Sequence, residues 1–129
     1  MSEPSYPEDL LYHPEHDWAR VSGEEAVFGI TWFAQDALGE VVFFEAPSAG
    51  THVTKDEPYA EVESVKAVSD VYAPLSGEII EVNAALSDSP EQINEDPYGA
   101  GWLVKVRLSN TAELDALMDV ASYRATLTS

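Results

Sequence analysis

Lys66 is the side chain with the clearest potential for chemistry, because it is one of only three lysines and lies between two strand-like runs. Taken alone, a lysine at such a junction is most often a solvated turn residue. Here its neighbours Val65 and Ala67 are small or apolar, and the acids Glu63 and Asp70 stand close along the chain. Those acids favour a charged amine, whereas a Schiff-base nucleophile needs burial or a nearby cation. These features weaken the interpretation as an ordinary solvated lysine and argue against a Schiff-base nucleophile, so the pattern predicts no catalytic residue. Acylation of such an amine would remove its charge and leave a long neutral arm.

The histidines of the segment HPEHDW, residues 13–18, invite a second kind of chemistry, the binding of a metal ion. His13 and His16 are three residues apart, but Pro14 lies between them and the chain has no cysteine to complete a zinc site. Acids are so abundant in this chain that their proximity carries little information. We therefore predict no metal site and expect His16 to order its loop through hydrogen bonds.

A mainly β domain must position these side chains. Alternating apolar and polar residues predict seven short strands, at 17–22, 25–30, 40–45, 58–64, 67–72, 77–82 and 102–108. Lys66 then falls in the connection between the fourth and fifth of these strands. Gly77 is expected to allow a positive φ in the turn that follows Pro74.

Short helices are predicted beside the strands. Thr31 can cap a helix at 32–38, which ends at Gly39 because glycine tolerates the left-handed conformation. Ser89 gives the start signal of a brief second helix, with a proline at its first position. The segment 110–127 is predicted to contain a helix and a final helical turn. The apolar face of that helix, which indicates core packing, comprises Leu114, Leu117 and Met118.

A faint internal repeat links two parts of the chain. The residues Gly39, Glu40, Val41, Val42, Phe44 and Ala46 recur 38 residues later as Gly77, Glu78, Ile79, Ile80, Val82 and Ala84. Two strand-loop-strand units of this kind could pair about a pseudo-twofold axis, each covering the apolar face of the other. Chance similarity between β segments explains the same residues equally well.

Length and charge limit the classes of function. A chain of 129 residues with 45% hydrophobic residues fits a single domain, residues 1–129, of which we expect 1–9 to be flexible. The formal net charge of −18 repels nucleic acid and anionic membrane surfaces, so protein partners with basic patches are expected. Solubility or a saline habitat would also explain the acidity. Without a signal-like N-terminus or an apolar run long enough for a membrane span, the prediction is a cytoplasmic monomer.

Four blocks of the sequence together carry a resemblance to a known family. They are ESVKAVSDVYAPLSGEIIEVN at 63–83, HPEHDW at 13–18, GITWFAQDALGEVVFFEAP at 29–47 and PEQINEDPYGAGWLVKV at 90–106. Their order and spacing resemble the H proteins of the glycine cleavage system, as does the C-terminal run LDALMDVASY. The resemblance covers nearly the whole chain. It implies a lipoyl-domain-like barrel-sandwich hybrid of two sheets with short flanking helices.

The resemblance also implies a task, which is to carry lipoate as an amide on Lys66. In this family a pyridoxal-phosphate glycine decarboxylase loads an aminomethyl group onto the lipoyl sulfur. An aminomethyltransferase passes the carbon to tetrahydrofolate, dihydrolipoyl dehydrogenase reoxidises the dithiol, and separate enzymes attach the lipoate. The carrier catalyses no step, so the resemblance implies a non-catalytic subunit.

Several positions match the region that cradles the lipoyl arm in the family. They are Glu15, His16 and Asp17, together with Asp70 after the lysine. We expect some of these carboxylates to hold the cationic amine of the cargo. Family members commonly have glutamate where this chain has Asp17, so the contact could pass to Glu15 or Asp70. An ordinary solvated loop is the alternative for Glu15 and Asp17.

Two further positions bear on the attachment of lipoate. Glu63, three residues before the lysine, matches a position that helps modifying enzymes choose the right lysine in lipoyl domains. Gly77 could leave room for the attaching enzyme to approach. A biotin carrier of the same fold is a rival reading, although its lysine usually lies between methionines rather than Val65 and Ala67. An H-like protein that serves another pathway is the other rival.

Overall fold

The structure is a computed structural model that describes residues 6–127. Within these residues the strands are β1 Leu11–His13, β2 Asp17–Ser22, β3 Glu25–Ile30, β4 Val41–Glu45, β5 His52–Val53, β6 Pro58–Ser64, β7 Val68–Tyr72, β8 Gly77–Val82 and β9 Val104–Leu108. The α-helices are α1 Trp32–Leu38, α2 Gln92–Glu95 and α3 Val120–Leu127, and 3-10 helices cover Ala84–Ser87 and Thr111–Ala116. The predicted mainly β class is confirmed.

Two antiparallel sheets enclose the main core. One has the strand order β1-β2-β3-β9-β8-β5, and the other has the order β4-β6-β7. Phe28 and Ile79 from the larger sheet pack in one cluster with Val41, Val62 and Val71 from the smaller sheet. Each such side chain, when fully buried, contributes about 1.5–3 kcal/mol to folding. The two sheets therefore hold each other in place through their inner faces.

The smaller sheet positions the lysine. Along its central strand β6, Ala60, Val62 and Ser64 are buried, whereas Glu61 and Glu63 are exposed. Because side chains alternate along a strand, one face of this sheet covers the core and the other is open to solvent. The chain turns from β6 into β7 immediately after Ser64, so the turn is anchored at its base by a buried strand.

The predicted α1 is confirmed with its capping residues. Thr31 Oγ1 accepts a hydrogen bond from Ala34 N at 3.3 Å, and the helix ends at Gly39, which has φ 82°. The strands β1 and β5 were missing from the sequence prediction, because three and two residues are too few for an alternating pattern to show.

The C-terminal segment differs in detail from the prediction. The helix expected after Asn110 is a 3-10 helix, and α3 then forms a separate helix of eight residues in place of a single final turn. Between them Met118 pairs with Tyr12 through two backbone hydrogen bonds of 2.8 Å. This bridge to β1 draws the chain into an extended conformation, which interrupts the helix.

The start of α2 also differs from the prediction. It begins at Gln92 rather than at Pro90, and the preceding Glu91 makes no side-chain cap. Ser89 contributes its backbone carbonyl, which accepts from Gln92 N at 3.1 Å, instead of acting as a capping side chain. The proline therefore lies in a turn that leads into the helix.

A second, smaller core joins the two ends of the described chain. Tyr12 and Tyr123 stack with their ring centroids 4.7 Å apart, and Leu10 and Trp18 are buried beside them. Tyr6 packs its ring edge-on against Tyr123. Residues 1–5 of the predicted flexible segment lie outside the described residues. None of the helices within 6–127 has the length and apolar character needed to cross a membrane.

Candidate functional site

Lys66 lies at the tip of the hairpin that joins β6 to β7. Ser64 N donates to the carbonyl oxygen of Ala67 at 2.8 Å, which closes a tight turn around Val65 and Lys66. The buried Ser64 hydroxyl oxygen also accepts from Ala67 N at 3.1 Å. The lysine is exposed, and among residues 6–127 its Nζ has neither a hydrogen bond nor an ion pair. The turn thus presents a free amine on a hydrogen-bonded base.

The backbone of Gly39 and Glu40 forms a platform beneath the lysine turn. A Cβ atom on Gly39 would stand 3.3 Å from Lys66 Cε, so the side chain crosses this glycine closely. The carbonyl oxygen of Glu40 accepts from Val65 N at 3.0 Å. The platform connects the lysine turn to the C-terminal end of α1.

Asn94 of α2 holds this platform in place. Its Nδ2 donates to the carbonyl oxygen of Gly39 at 2.8 Å and to Gln35 Oε1 at 3.0 Å. Its Oδ1 accepts from Val41 N at 2.8 Å. One side chain therefore ties α1, the start of β4 and α2 together, and the sequence analysis did not identify it.

A cleft of about 380 Å³ opens beside the hairpin, between α1, the HPEHDW loop and β7. Its lining comprises Glu15, His16, Asp17, Ile30, Phe33, Ala34, Ala37, Leu38, Ala67, Val68, Ser69, Asp70, Val71 and Tyr72. The structure thus brings together the four residues expected to cradle the arm, although they come from two distant segments. Ala67, the residue that follows Lys66, belongs to this lining.

Asp17 is the most unusual group in the cleft. The residue is only 1% exposed, and its Oδ2 has no hydrogen-bond partner among the described residues. Burial raises the pKa of Asp17 well above its usual value, and the nearby Glu15 adds to the rise, while a hydrogen bond from the Tyr72 backbone opposes it. Tyr59 Oη also has no hydrogen-bond partner within residues 6–127, and burial together with Asp17 raises the pKa of Tyr59. This pair of unsatisfied polar groups departs from the rule that buried polar atoms are hydrogen-bonded.

His13 supports the loop that carries Asp17. Its Nε2 lies 2.6 Å from Asp56 Oδ1, and its Nδ1 accepts from Glu15 N at 3.1 Å. Because Nδ1 accepts a hydrogen bond, Nε2 carries the proton that is donated to Asp56. This hydrogen bond and a second one from Lys55 lower the pKa of Asp56. His13 Nδ1 is also 3.8 Å from Asp17 Oδ2.

His16 has different hydrogen-bond partners from His13. Its Nδ1 lies 2.8 Å from Tyr123 Oη, and its ring centroid is 4.5 Å from that of Phe33. Its backbone has φ 72°, the left-handed conformation that lets the loop turn sharply. Burial lowers the pKa of His16. Within residues 6–127 no cluster of three or more His, Asp or Glu side chains is disposed to hold a metal ion.

Glu63 and Gly77 lie outside the cleft. Glu63 is on the exposed face of the smaller sheet, where it pairs in register with Phe43 on one side and Val68 on the other. Gly77 is the first residue of β8, and its φ is not positive, so the interpretation as a left-handed turn residue was wrong. A Cβ atom there would clash with the carbonyl oxygen of Arg107 in β9, so the close approach of this strand requires glycine at the position.

Comparison with known proteins points to one family. The sequence model of the family described as Glycine cleavage H-protein matches residues 10–129. The glycine cleavage system H protein of Symbiobacterium thermophilum is 56% identical over 92% of this chain and 93% of its own length. That of Brevibacillus brevis is 51% identical over 93% and 95%. A crystal structure of a glycine cleavage system H protein from Mycobacterium marinum matches with a TM-score of 0.88 at 38% identity, covering 96% of this chain and 100% of the other. The predicted barrel-sandwich fold is confirmed.

Proposed function

This chain belongs to the glycine cleavage H-protein family, the non-catalytic lipoyl carriers of the glycine cleavage system, and from that premise we propose a specific route for it. It takes the aminomethyl group of glycine from the pyridoxal-phosphate glycine decarboxylase and delivers it to the tetrahydrofolate-dependent aminomethyltransferase. Dihydrolipoyl dehydrogenase then restores the oxidised carrier. The chain acts as a cytoplasmic monomer, with lipoate joined by an amide to Lys66.

The display of Lys66 beside the cleft is the observation that carries this proposal. Its amine is exposed and free of partners among the described residues, and the lining of the cleft begins at the next residue, Ala67. Lipoate, when bound, supplies the redox and group-carrying chemistry, and the protein supplies position. A group tethered to this tip meets each enzyme at a high effective concentration. The hydrogen-bonded turn sets the position at which the tether begins.

The cleft fits a cargo that is partly apolar and partly cationic. Phe33 and Leu38 supply apolar wall, and Glu15, Asp17 and Asp70 supply carboxyl groups. Glu15 and Asp70 are exposed and can accept charge-assisted hydrogen bonds from a cationic amine, whereas Asp17, whose unpartnered Oδ2 is buried, would interact with that charge from within the wall of the cleft. The positive charge would favour ionisation of Asp17, so the carboxyl would release its proton as the amine arrives. Apolar walls around this contact would keep water from the cargo.

Reconstitution with the three purified enzymes tests the route. We expect the lipoylated chain to support glycine decarboxylation and transfer of the carbon to tetrahydrofolate, and we expect Lys66→Arg to support neither. Lys105→Arg is the matched control, because Lys105 lies in β9 of the larger sheet. A fully lipoylated wild type that supports neither reaction would overturn the proposed route.

A further inference from the structure

The exposed apolar side chains are gathered around the lysine turn. Among residues 6–127 the exposed large hydrophobics around the turn are Val65 at 68%, Val68 at 62%, Phe43 at 52% and Val42 at 44%. We call these four residues the apolar collar. The remaining exposed one is Phe33, which lines the cleft. The collar belongs to neither core cluster, so packing of the core does not explain it, and exposed apolar patches commonly mark sites of interaction.

The register of the smaller sheet makes the collar continuous. Phe43, Glu63 and Val68 are paired across β4, β6 and β7, and residues paired in this way point to the same face. Val42 is the extra residue at the bulge of β4, and Val65 forms part of the turn itself. The collar therefore covers the lysine end of the exposed face, with one carboxylate in its middle. Val68 also borders the mouth of the cleft.

The charge around the collar is acidic. The next exposed row of the same sheet joins Glu45, Glu61 and Asp70. Apart from Lys66, none of the six bases of the chain lies on β4, β6, β7 or the lysine turn. A surface that complements this one must offer an apolar contact area flanked by lysine or arginine side chains.

We propose that the apolar collar is the docking surface for the enzyme that acylates Lys66. The inference rests on the proposed function, in which this lysine bears lipoate. The attaching enzyme must bring its active site to Nζ, within one lysine side chain of the collar, so it has to cover the residues around the turn. An enzyme that acts on the far end of the lipoyl arm can stay separated from the turn by the length of that arm. The partner is therefore an acyl-attaching enzyme whose active-site entrance is apolar and flanked by basic groups.

The chemical step sets what this contact must achieve. In a lipoate ligase the carboxylate oxygen of lipoate attacks the α-phosphorus of ATP, the bond from that phosphorus to pyrophosphate breaks, and pyrophosphate leaves with the electron pair, which gives an acyl adenylate. The neutral Nζ attacks the carbonyl carbon, the amide C–N bond forms, and the carbonyl C–O bond to AMP breaks. AMP leaves with the electron pair of that bond, and the amine gives up a proton to solvent. Contact with the collar excludes water, which protects the adenylate from hydrolysis.

The test measures attachment to the unmodified chain. Purified lipoate ligase, ATP and lipoate are mixed with the apo-protein, and the lipoylated fraction is followed by intact mass. We expect Phe43→Ser to lower kcat/KM by about tenfold or more, as for a central interface residue, and Phe43→Leu to restore most of the rate. Ile80→Ser, which removes an apolar side chain from β8 in the other sheet, is expected to react at the wild-type rate.

Binding gives a readout that does not depend on the reaction. The Kd between apo-protein and ligase is expected to rise about tenfold in Phe43→Ser and to rise with salt concentration in the wild type. Circular dichroism checks the fold, and Val42→Ser replaces Phe43→Ser if the latter does not fold. Wild-type kcat/KM in folded collar variants, an equal loss in Ile80→Ser, or a Kd independent of salt would overturn the inference. A wild type that accepts no lipoate on Lys66 would instead overturn the proposed function.

Discussion

A single buried carboxyl distinguishes the cleft from ordinary surface. Asp17 is almost fully buried, one of its oxygens has no partner among the described residues, and burial holds its pKa well above the usual range. A folded-state pKa above the unfolded value of 3.8 means that the folded chain binds the proton more tightly. Stability is then lost as the pH rises from the unfolded value through the folded one. The ionised form of Asp17 therefore lowers the stability of the folded protein, and a nearby cation in the cleft would offset that loss.

Asp17→Asn should therefore stabilise the protein at neutral pH. We expect the free energy of unfolding to rise by about 1–3 kcal/mol at pH 7, because an amide cannot ionise but still accepts from the Tyr72 backbone. The gain should shrink as the pH falls towards 3.8, where the wild-type carboxyl is protonated in both states. Urea unfolding at several pH values measures it, with the exposed Asp115→Asn as control. A gain that does not change with pH would refute this explanation.

Asp70→Asn tests a second carboxyl group of the cleft, on β7. Loss of a charge-assisted hydrogen bond should shorten the half-life of the aminomethyl-loaded protein by roughly tenfold. The control is Glu61→Gln, because Glu61 pairs with Asp70 across the strands but is not among the residues that line the cleft. The half-lives are measured by intact mass after removal of the other enzymes. An unchanged half-life in Asp70→Asn would contradict a role in holding the cargo.

At this scale the sequence revealed Lys66 but not its surroundings. The family match also pointed to Asp17, yet its burial arises only when β7 brings Tyr72 against β2. Nothing in the sequence distinguishes Phe33 from the other residues of α1, because its place in the cleft depends on how that helix packs. Ser64 gave no signal, since its hydroxyl contacts depend on the geometry of the turn.

The lysine hairpin depends on an element that contacts it only indirectly. Asn94 in α2 is hydrogen-bonded to the backbone of Gly39 and Val41. The carbonyl oxygen of Glu40, which lies between them, accepts a hydrogen bond from the backbone of the turn. Asn94→Ala should lower the free energy of unfolding by about 2–3 kcal/mol, because several backbone groups lose their partner. Asn110→Ala, which removes one exposed hydrogen bond, should cost about 1 kcal/mol or less. Equal losses in the two variants, measured by urea unfolding, would contradict a special role for Asn94.

The elements that the sequence predicted best are those with long local patterns. The six-residue strands β2, β3 and β8 and the capped helix α1 match their predicted bounds, because alternation and capping are local signals. The bridge between Tyr12 and Met118 depends on residues far apart in the chain. No local pattern could therefore predict that the helix after Asn110 would be interrupted there.

On the scale of the whole molecule, the hairpin borders two surfaces. The cleft contains the buried carboxyl, the apolar collar covers the exposed face of the smaller sheet, and the two surfaces meet at Val68. The net charge of −18 gives the molecule an acidic field suited to basic partners. The composition predicted that field, but only the register of β4, β6 and β7 shows where apolar contact area lies within it.

The attachment of lipoate to Lys66 is the central claim, and intact mass spectrometry with peptide mapping tests it most directly. The protein is purified from its native cell while the glycine cleavage system is active. The account predicts a lipoyl addition on the peptide that contains Lys66 and no addition in Lys66→Arg. A biotinyl addition, an unmodified Lys66, or a lipoyl group on Lys55 or Lys105 would contradict it.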